Sequence, residues 1–243
     1  VATVCPAGRW WLAGTYGAWR AGAVLLPLEA SHPPAELRHP VTDSGVTHVL
    51  CTAESAELAN ELAAFTNAQI VDVREAVDVE KYATLPEISD DNDAMIVYTS
   101  GTTGLPKGVV HTHRSLAAQC SAMVEAWAWT SADRIVCVLP LHHVHGLVNV
   151  TFTSLSVGAV LETPGGFDAI ATWERLASGD ITIFMAVPMA YEVLKWAGAA
   201  YLMWMGVKLL LAKGGGSSIV PAGVSAEVVA VNLWRVFRQG FLT

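Results

Sequence analysis

Short apolar runs alternate along the chain with stretches whose apolar positions recur every three or four residues. The runs AVLLPL (23–28) and THVLCT (47–52) predict buried strands, as do AMIVYTS (94–100), RIVCVLP (134–140) and ITIFMAVP (181–188). Helical spacing predicts helices over PPAELRHPVTDSG (33–45), opened by proline and closed near Gly45, and over AELANELAAF (56–65). It predicts three more over HRSLAAQCSAMVEAWAW (113–129), DAIATWERLAS (168–178) and MAYEVLKWAG (189–198). The pieces LVNVTFTSLSVG and AVLET fall between the last of the middle strands and the helix at 168. Strands alternating with helices predict a layered α/β fold, mainly parallel sheets flanked by helices. Ligands of such sheets gather at the carboxyl ends of strands. Two polar clusters lie there: a Gly/Thr/Ser-rich loop after the strand at 94, and a histidine-rich turn after the strand at 134.

Composition narrows the classes. The 243 residues are 53% hydrophobic and 15% charged, enough for one large core or two small ones. The net charge is −8 and the basic residues are scattered, which argues against a nucleic-acid partner. The four cysteines, Cys5, Cys51, Cys120 and Cys137, form no CxxC pair. Reduced, buried thiols are the expected state, pointing to a reducing intracellular compartment, the cytoplasm or a mitochondrion. No secretory signal pattern opens the chain. Its first residue is valine, and mean hydropathy is +0.42, high for a soluble domain; a piece of a longer protein, with interfaces normally covered, is expected. The segment WAGAAYLMWMGVKLLLA (196–212) is short for a bilayer span and contains Lys208, so a buried helix or strand is expected there and no membrane span. No internal repeat or low-complexity tract is present, and oligomeric state is not legible.

The loop itself reads YTSGTTGLPKG, residues 98–108. Glycines let backbone amides turn toward an anion without a Cβ in the way. Thr99, Ser100, Thr102 and Thr103 add hydroxyl donors, and Lys107 adds a mobile positive charge suited to phosphate oxygens. A strand–loop–helix arrangement would also bring a helix amino terminus near. Polyphosphate binding follows from this chemistry, with a plain solvated turn as the alternative. A Walker A loop is disfavoured: five residues after Gly101 stands Pro106, not glycine, and Gly108, not Ser or Thr, follows Lys107.

The string resembles the phosphate-loop signature of the adenylate-forming superfamily, which contains acyl-CoA synthetases, luciferases and peptide-synthetase adenylation domains. Every position of [Y/F]-[T/S]-S-G-[T/S]-T-G-x-P-K-G is met. The resemblance implies a carboxylate attacking the α-phosphate of ATP with Mg2+, giving an acyl-adenylate and pyrophosphate, and then transfer to a thiol, usually coenzyme A. By match, Thr99, Ser100, Gly101, Thr102, Thr103, Gly104, Leu105, Pro106 and Lys107 would hold the β- and γ-phosphates, with Lys107 catalytic.

The second cluster, LPLHHVHGLVN (139–149), carries three histidines in four residues. A zinc site would need a fourth ligand and supporting groups that the sequence does not supply. The cluster resembles the superfamily's P-x-x-H-x-x-G, with Pro140, His143 and Gly146 in place. The resemblance implies that His143, as a catalytic and substrate-binding residue, lies near the reacting carboxylate. PLHHVHGLVN looks like malonyl-CoA synthetases in particular, and FMAVPMAY (184–191) resembles their F-x-x-V-P-x-x-Y. A small carboxylic acid, with malonate favoured, is the implied substrate, and His145 an added polar wall. Two positions after the tyrosine, where a basic residue often grips the distal carboxylate, stands Val193; Lys195 follows two later.

The resemblance covers about residues 1–200, with KGGGSSIVP (213–221) matching more loosely the strand end S-G-S-A-x-x-P, so that Gly216 and Ser217 would line the acyl and adenine site. The expected organisation is an incomplete AMP-binding N-terminal domain: 1–86 a first α/β segment, 87–200 the segment with loop and histidine turn, 201–243 a weakly matched end, and no C-terminal domain. The Y-G-x-T-E adenine motif, the ribose-binding aspartate motif and the C-terminal lysine are not in the sequence, so these 243 residues alone are expected not to complete adenylation. The parent would be an acid–thiol ligase of fatty acid and lipid metabolism. The alternative is a truncated, non-catalytic relative that binds nucleotide or a partner.

Overall fold

Four short strands, β1 (Ala2–Thr3), β2 (Leu26–Pro27), β3 (His48–Cys51) and β4 (Gln69–Asp72), lie parallel in the order β2-β1-β3-β4. The computed structural model that shows this describes residues 1–76, 84–99 and 104–211. Parallel neighbours need crossovers, and helices α1 (Arg9–Arg20), α2 (Pro34–Asp43) and α3 (Ala56–Ala64) supply them. One face of the sheet buries Val4, Leu26, Val49 and Cys51 against Val41 of α2 and Leu62 of α3. The other buries Leu50 with Trp11 of α1. Pro34 opens α2, where its missing N–H is no loss. Gly45 follows the helix at φ 62, a left-handed conformation open to glycine at little strain. The strands at 23 and 47 and the helices at 33 and 56 thus stand where the hydrophobic pattern places them.

The segment around the Gly/Thr loop differs from the expectation. Strand β5 (Asp93–Thr99) is followed by a second strand, β6 (Lys107–Thr112), paired to it antiparallel with Tyr98 opposite Gly108 and Thr99 opposite Lys107. The loop is therefore the tip of a β-hairpin, not a strand-to-helix turn. Helix α4 (His113–Trp127) starts only after β6, its first turn capped by Thr112 Oγ1 accepting from Ser115 N at 3.1 Å. Five extended residues separate Lys107 from that helix, a distance on the order of 20 Å. The positive end of α4 is therefore not at the loop. The hairpin docks on the first sheet through Leu25, whose N–H donates to Ala94 O at 2.9 Å and whose carbonyl accepts from Ile96 N at 2.8 Å.

Strands β7 (Arg134–Val136) and β8 (Val160–Glu162) pair parallel. Between them the piece LVNVTFTSLSVG forms a π-helical turn, His145–Phe152, and then helix α5 (Thr153–Ser156). The buried Thr151 and Thr153 hydroxyls donate to the carbonyls five residues back, Gly146 O at 2.8 Å and Val148 O at 2.9 Å, satisfying groups that an α-helical ladder would otherwise have taken. Asp168 caps α6 (Ala169–Ala177), accepting from Ala171 N at 2.7 Å. Arg175 of that helix bridges Glu162 on β8 (2.7 Å) and Asp180 (2.5 Å). The predicted strand at 181–188 is reduced to one parallel bridge, Ile183 to Ile135, because only Arg134 O receives its N–H groups before the chain turns into the next helix.

That last helix, α7 (Pro188–Leu211), runs well past the predicted end at residue 198. Ala190, Leu194 and Gly198, four apart, pack on α6; a Cβ on Gly198 would meet the Trp173 ring at 2.8 Å. From Trp196 to Lys208 the segment is helical and, Gly198 apart, not buried: Trp196 is 69% exposed and Met203 67%. Only one stripe of α7 finds a partner among the described residues. No described helix is long and apolar enough to cross a membrane. All four cysteines are buried and unpaired.

Candidate active site

Helix α2 braces the hairpin from which the loop projects. Tyr98, at the end of β5, donates its hydroxyl to Asp43 Oδ2 at 2.5 Å. His39, one turn earlier on α2, donates Nε2–H to Pro106 O at 2.9 Å and stands edge-on to the Tyr98 ring. Burial, and then the Asp43 carboxylate, push the Tyr98 phenol well above its usual range, so it remains a donor at any working pH. Gly108 lies opposite Tyr98 because a Cβ there would sit 2.9 Å from Ile96 Cγ2 and 3.1 Å from the tyrosine ring. Gly104 takes φ 137, a backbone conformation that side chains rarely adopt. Lys107 is exposed at the first position of β6, and Thr99 Oγ1 lies 3.5 Å from its carbonyl. Both described limbs of the loop, Tyr98 and Pro106, are thus tied to α2.

The Tyr98 contact gives a direct test. Tyr98→Phe is expected to leave the fold intact and to lower stability by about 1 kcal/mol, the scale of one exposed, charge-assisted hydrogen bond. Thermal denaturation would show a drop of roughly 2–4 °C. An unchanged melting temperature would mean that α2 does not brace the hairpin.

The histidine turn follows β7 and is shaped by Gly146. A Cβ at that position would lie 2.5 Å from Pro140 O and 2.9 Å from Leu139 Cβ. The turn closes through His143 N to Pro140 O at 3.4 Å and Leu147 N to His143 O at 2.9 Å. This contact gives the spacing Pro140–His143–Gly146 its physical reason: the chain doubles back onto its own carbonyl where only a hydrogen fits. His142 is half-buried, with Nδ1 2.9 Å from Glu29 Oε2 across a bent approach, and its ring stacks obliquely on His143 at 4.0 Å. Burial, then His143, hold the His142 imidazole below its ordinary value, with Glu29 opposing. Burial also lowers His145.

Beside the turn opens a cavity of about 920 Å³, lined among others by Glu29, Leu141, His142, His143, Phe167 and Val193. The structure therefore brings His143 and Val193 to one space. His145 opens the π-helical turn and is not among the described residues that line the cavity. Lys195 pairs with Glu192 at 3.7 Å on the α7 surface and does not line it either. Tyr191 lies half-buried against Phe184, donating its hydroxyl to Phe184 O at 3.1 Å, so that part of F-x-x-V-P-x-x-Y fixes the start of α7. Of the predicted loop residues, Thr99, Gly104, Leu105, Pro106 and Lys107 are described; Ser100, Gly101, Thr102 and Thr103 lie outside the described residues, as do Gly216 and Ser217. Among the described residues no three His, Cys, Asp or Glu side chains are placed to hold a metal ion.

Sequence reasoning missed Glu29, His39 and Asp43. All three sit on α2 or on the connection entering it, and each touches a cluster more than fifty positions away. The segment 29–43 spans from the histidine turn to the hairpin. Charged residues flanking a short helix carry no local sign of such a role.

The comparisons fit this geometry. A profile described as AMP-binding enzyme matches residues 1–243. A chain named "Probable CoA ligase CCL8" of Humulus lupulus is 40% identical over 205 residues, 73% of this chain and 34% of the relative. "Malonate--CoA ligase ACSF3, mitochondrial" of Bos taurus is 38% identical over 203 residues, 80% of this chain and 35% of the relative. A solved malonyl-CoA ligase, described as a ternary product complex with methylmalonyl-CoA and AMP bound, superposes with a TM-score of 0.67 at 35% identity over 78% of this chain and 40% of that chain. The chain spans about a third of the length of the curated relatives it matches.

Proposed function

Because the chain belongs to the AMP-binding enzyme family, we propose that the complete enzyme carrying it activates a short carboxylic acid, with malonate favoured, to the acyl-adenylate and then to the coenzyme A thioester. The observation that carries this reading is the β5–β6 hairpin, whose Gly/Thr tip ends in Lys107 and whose two limbs are pinned by Asp43 and His39. ATP and coenzyme A are the substrates that the family implies, and the malonate ligases among the relatives support the acid. The magnesium ion arrives with the nucleotide and is part of that substrate.

In this reading the loop hydroxyls, its backbone N–H groups and Lys107 receive the β- and γ-phosphates. Negative charge grows there as pyrophosphate departs, so donors fixed in advance favour the transition state over the bound substrate. His143 lines the cavity, and in this reading it meets the carboxylate as that group is presented to the α-phosphate. The wall at Val193 offers van der Waals contact and no charge. A lost charge-assisted contact is worth roughly 1.5–3 kcal/mol, so malonate selectivity is expected to be weaker by about one to two factors of ten than with a basic residue there. Long alkyl chains are still expected to bind poorly, since Glu29, His142 and His143 would be buried without partners.

The measurement is kcat/KM for acetate, malonate, methylmalonate and palmitate with the complete enzyme, followed by pyrophosphate release. Malonate or another short acid is expected first. Palmitate in first place would leave acid activation standing and refute the short-acid cavity; no release with any acid would refute the function.

A further inference from the structure

The cavity beside the histidine turn carries an unusual charge set for a site meant for anions. Among the described residues that line it there is no lysine or arginine. Its titratable lining groups are Glu29, His142 and His143, with the thiols of Cys5 and Cys137. Burial pushes both thiols up, so they stay neutral. His32, on the same connection as Glu29, faces the His142 ring at 5.6 Å. Among the described lining residues Glu29 carries the one formal negative charge, and none of them is a fixed cation for a second carboxylate.

The geometry of His142 supplies the remedy. Its Nδ1 is turned to Glu29 Oε2 at 2.9 Å, in a bent contact, which leaves Nε2 as the nitrogen free to meet a ligand. The ring lines the cavity and is neutral at rest, since burial and its neighbour His143 disfavour the charged form. A carboxylate arriving at Nε2 reverses that preference, because the imidazolium would then lie between two carboxylates, donating to the ligand and attracted to Glu29 through their charges.

We propose that the second carboxylate of a short dicarboxylic acid is received by His142 with uptake of one proton from solvent, and that Glu29 is the positioning residue that holds the ring through Nδ1. The only bond made is N–H: Nε2 takes a proton from solvent, which loses it from its own O–H, and returns it when the acid leaves. The inference rests on the acid-activating function proposed above and deepens it by naming what replaces a basic residue in the cavity.

Direction and slope follow from linkage. Binding of the dianion raises the proton affinity of His142. Between its free and bound values, affinity for the dicarboxylate therefore falls as pH rises, by up to about tenfold per pH unit for one proton. A monocarboxylic acid has no group for His142 to neutralise and should not show this slope.

The experiment uses the complete enzyme with malonate and acetate between about pH 6.5 and 8.5. The ratio of their kcat/KM values cancels pH effects common to both acids. It is expected to fall with rising pH by close to tenfold per unit over part of the range. Calorimetric titration of malonate in two buffers of different ionisation enthalpy should report uptake of about one proton. Glu29→Gln should move the falling limb to lower pH, because the imidazolium loses its partner, and His142→Gln should flatten it. A flat ratio with no buffer-dependent heat in the unaltered enzyme would overturn the proposal, whatever the variants do. Turnover of acetate but not malonate would also overturn it while leaving acid activation intact. Turnover of neither acid would overturn both.

Discussion

Lys107→Met in the complete enzyme is expected to lower kcat for acyl-adenylate formation by about two to three factors of ten, the scale seen when one preoriented donor to a developing anion is removed. KM for ATP should move much less. Lys107 is exposed where the loop rejoins β6, so its loss removes little packing, and stability should stay within about 0.5 kcal/mol. The split between kcat and KM carries the test. A contact equally strong in bound ATP and in the transition state would raise KM and spare kcat; a contact that strengthens as the pyrophosphate departs does the reverse. A raised KM with unchanged kcat would mean that Lys107 merely holds nucleotide. A methionine variant keeps the aliphatic stem, so the comparison isolates the charge.

The second large effect is expected at Gly146. A Cβ in Gly146→Ala would sit 2.5 Å from Pro140 O and 3.1 Å from Leu139 C, and neither backbone atom can rotate away. The histidine turn must open or shift. Overpacking of this kind typically costs about 1–3 kcal/mol, a drop of roughly 2–12 °C in melting temperature for a protein of this size. Activity should suffer more than stability. Displacing catalytic groups by about an ångström can cost on the order of a hundredfold, and the shift would move His142 off Glu29 as well as moving His143. Gly17→Ala is the matched control, since no atom lies within 4 Å of its Cβ position on α1. Alanine in a helix interior is neutral or slightly stabilising there. Equal behaviour of the two variants would mean that the close approach at Gly146 has no functional weight.

The sequence by itself determined what neighbours along the chain impose. Apolar runs fixed the strands at His48–Cys51 and Arg134–Val136. Pro34, Gly45 and Asp168 punctuated their helices through fixed φ, permitted left-handed backbone and a side-chain cap, all effects within a few residues. The loop and the histidine turn were legible for the same reason: each is a short ordered string whose glycines and hydroxyls have a local conformational meaning. Only the tertiary structure decided the rest. KGVVHT became a strand because β5 was there to pair with it, and a hairpin tip replaced the expected strand-to-helix turn. The π-helical turn through Thr151 and the start of α5 at Thr153 depend on buried hydroxyls that reach carbonyls five residues back. The segment from Trp196 stayed helical yet largely exposed as far as Lys208, since its hydrophobicity announced a need for burial but not which surface would meet it. Glu29, His39 and Asp43 acquired their places through contacts that span tens of positions, and a partner at that distance leaves no periodicity to read.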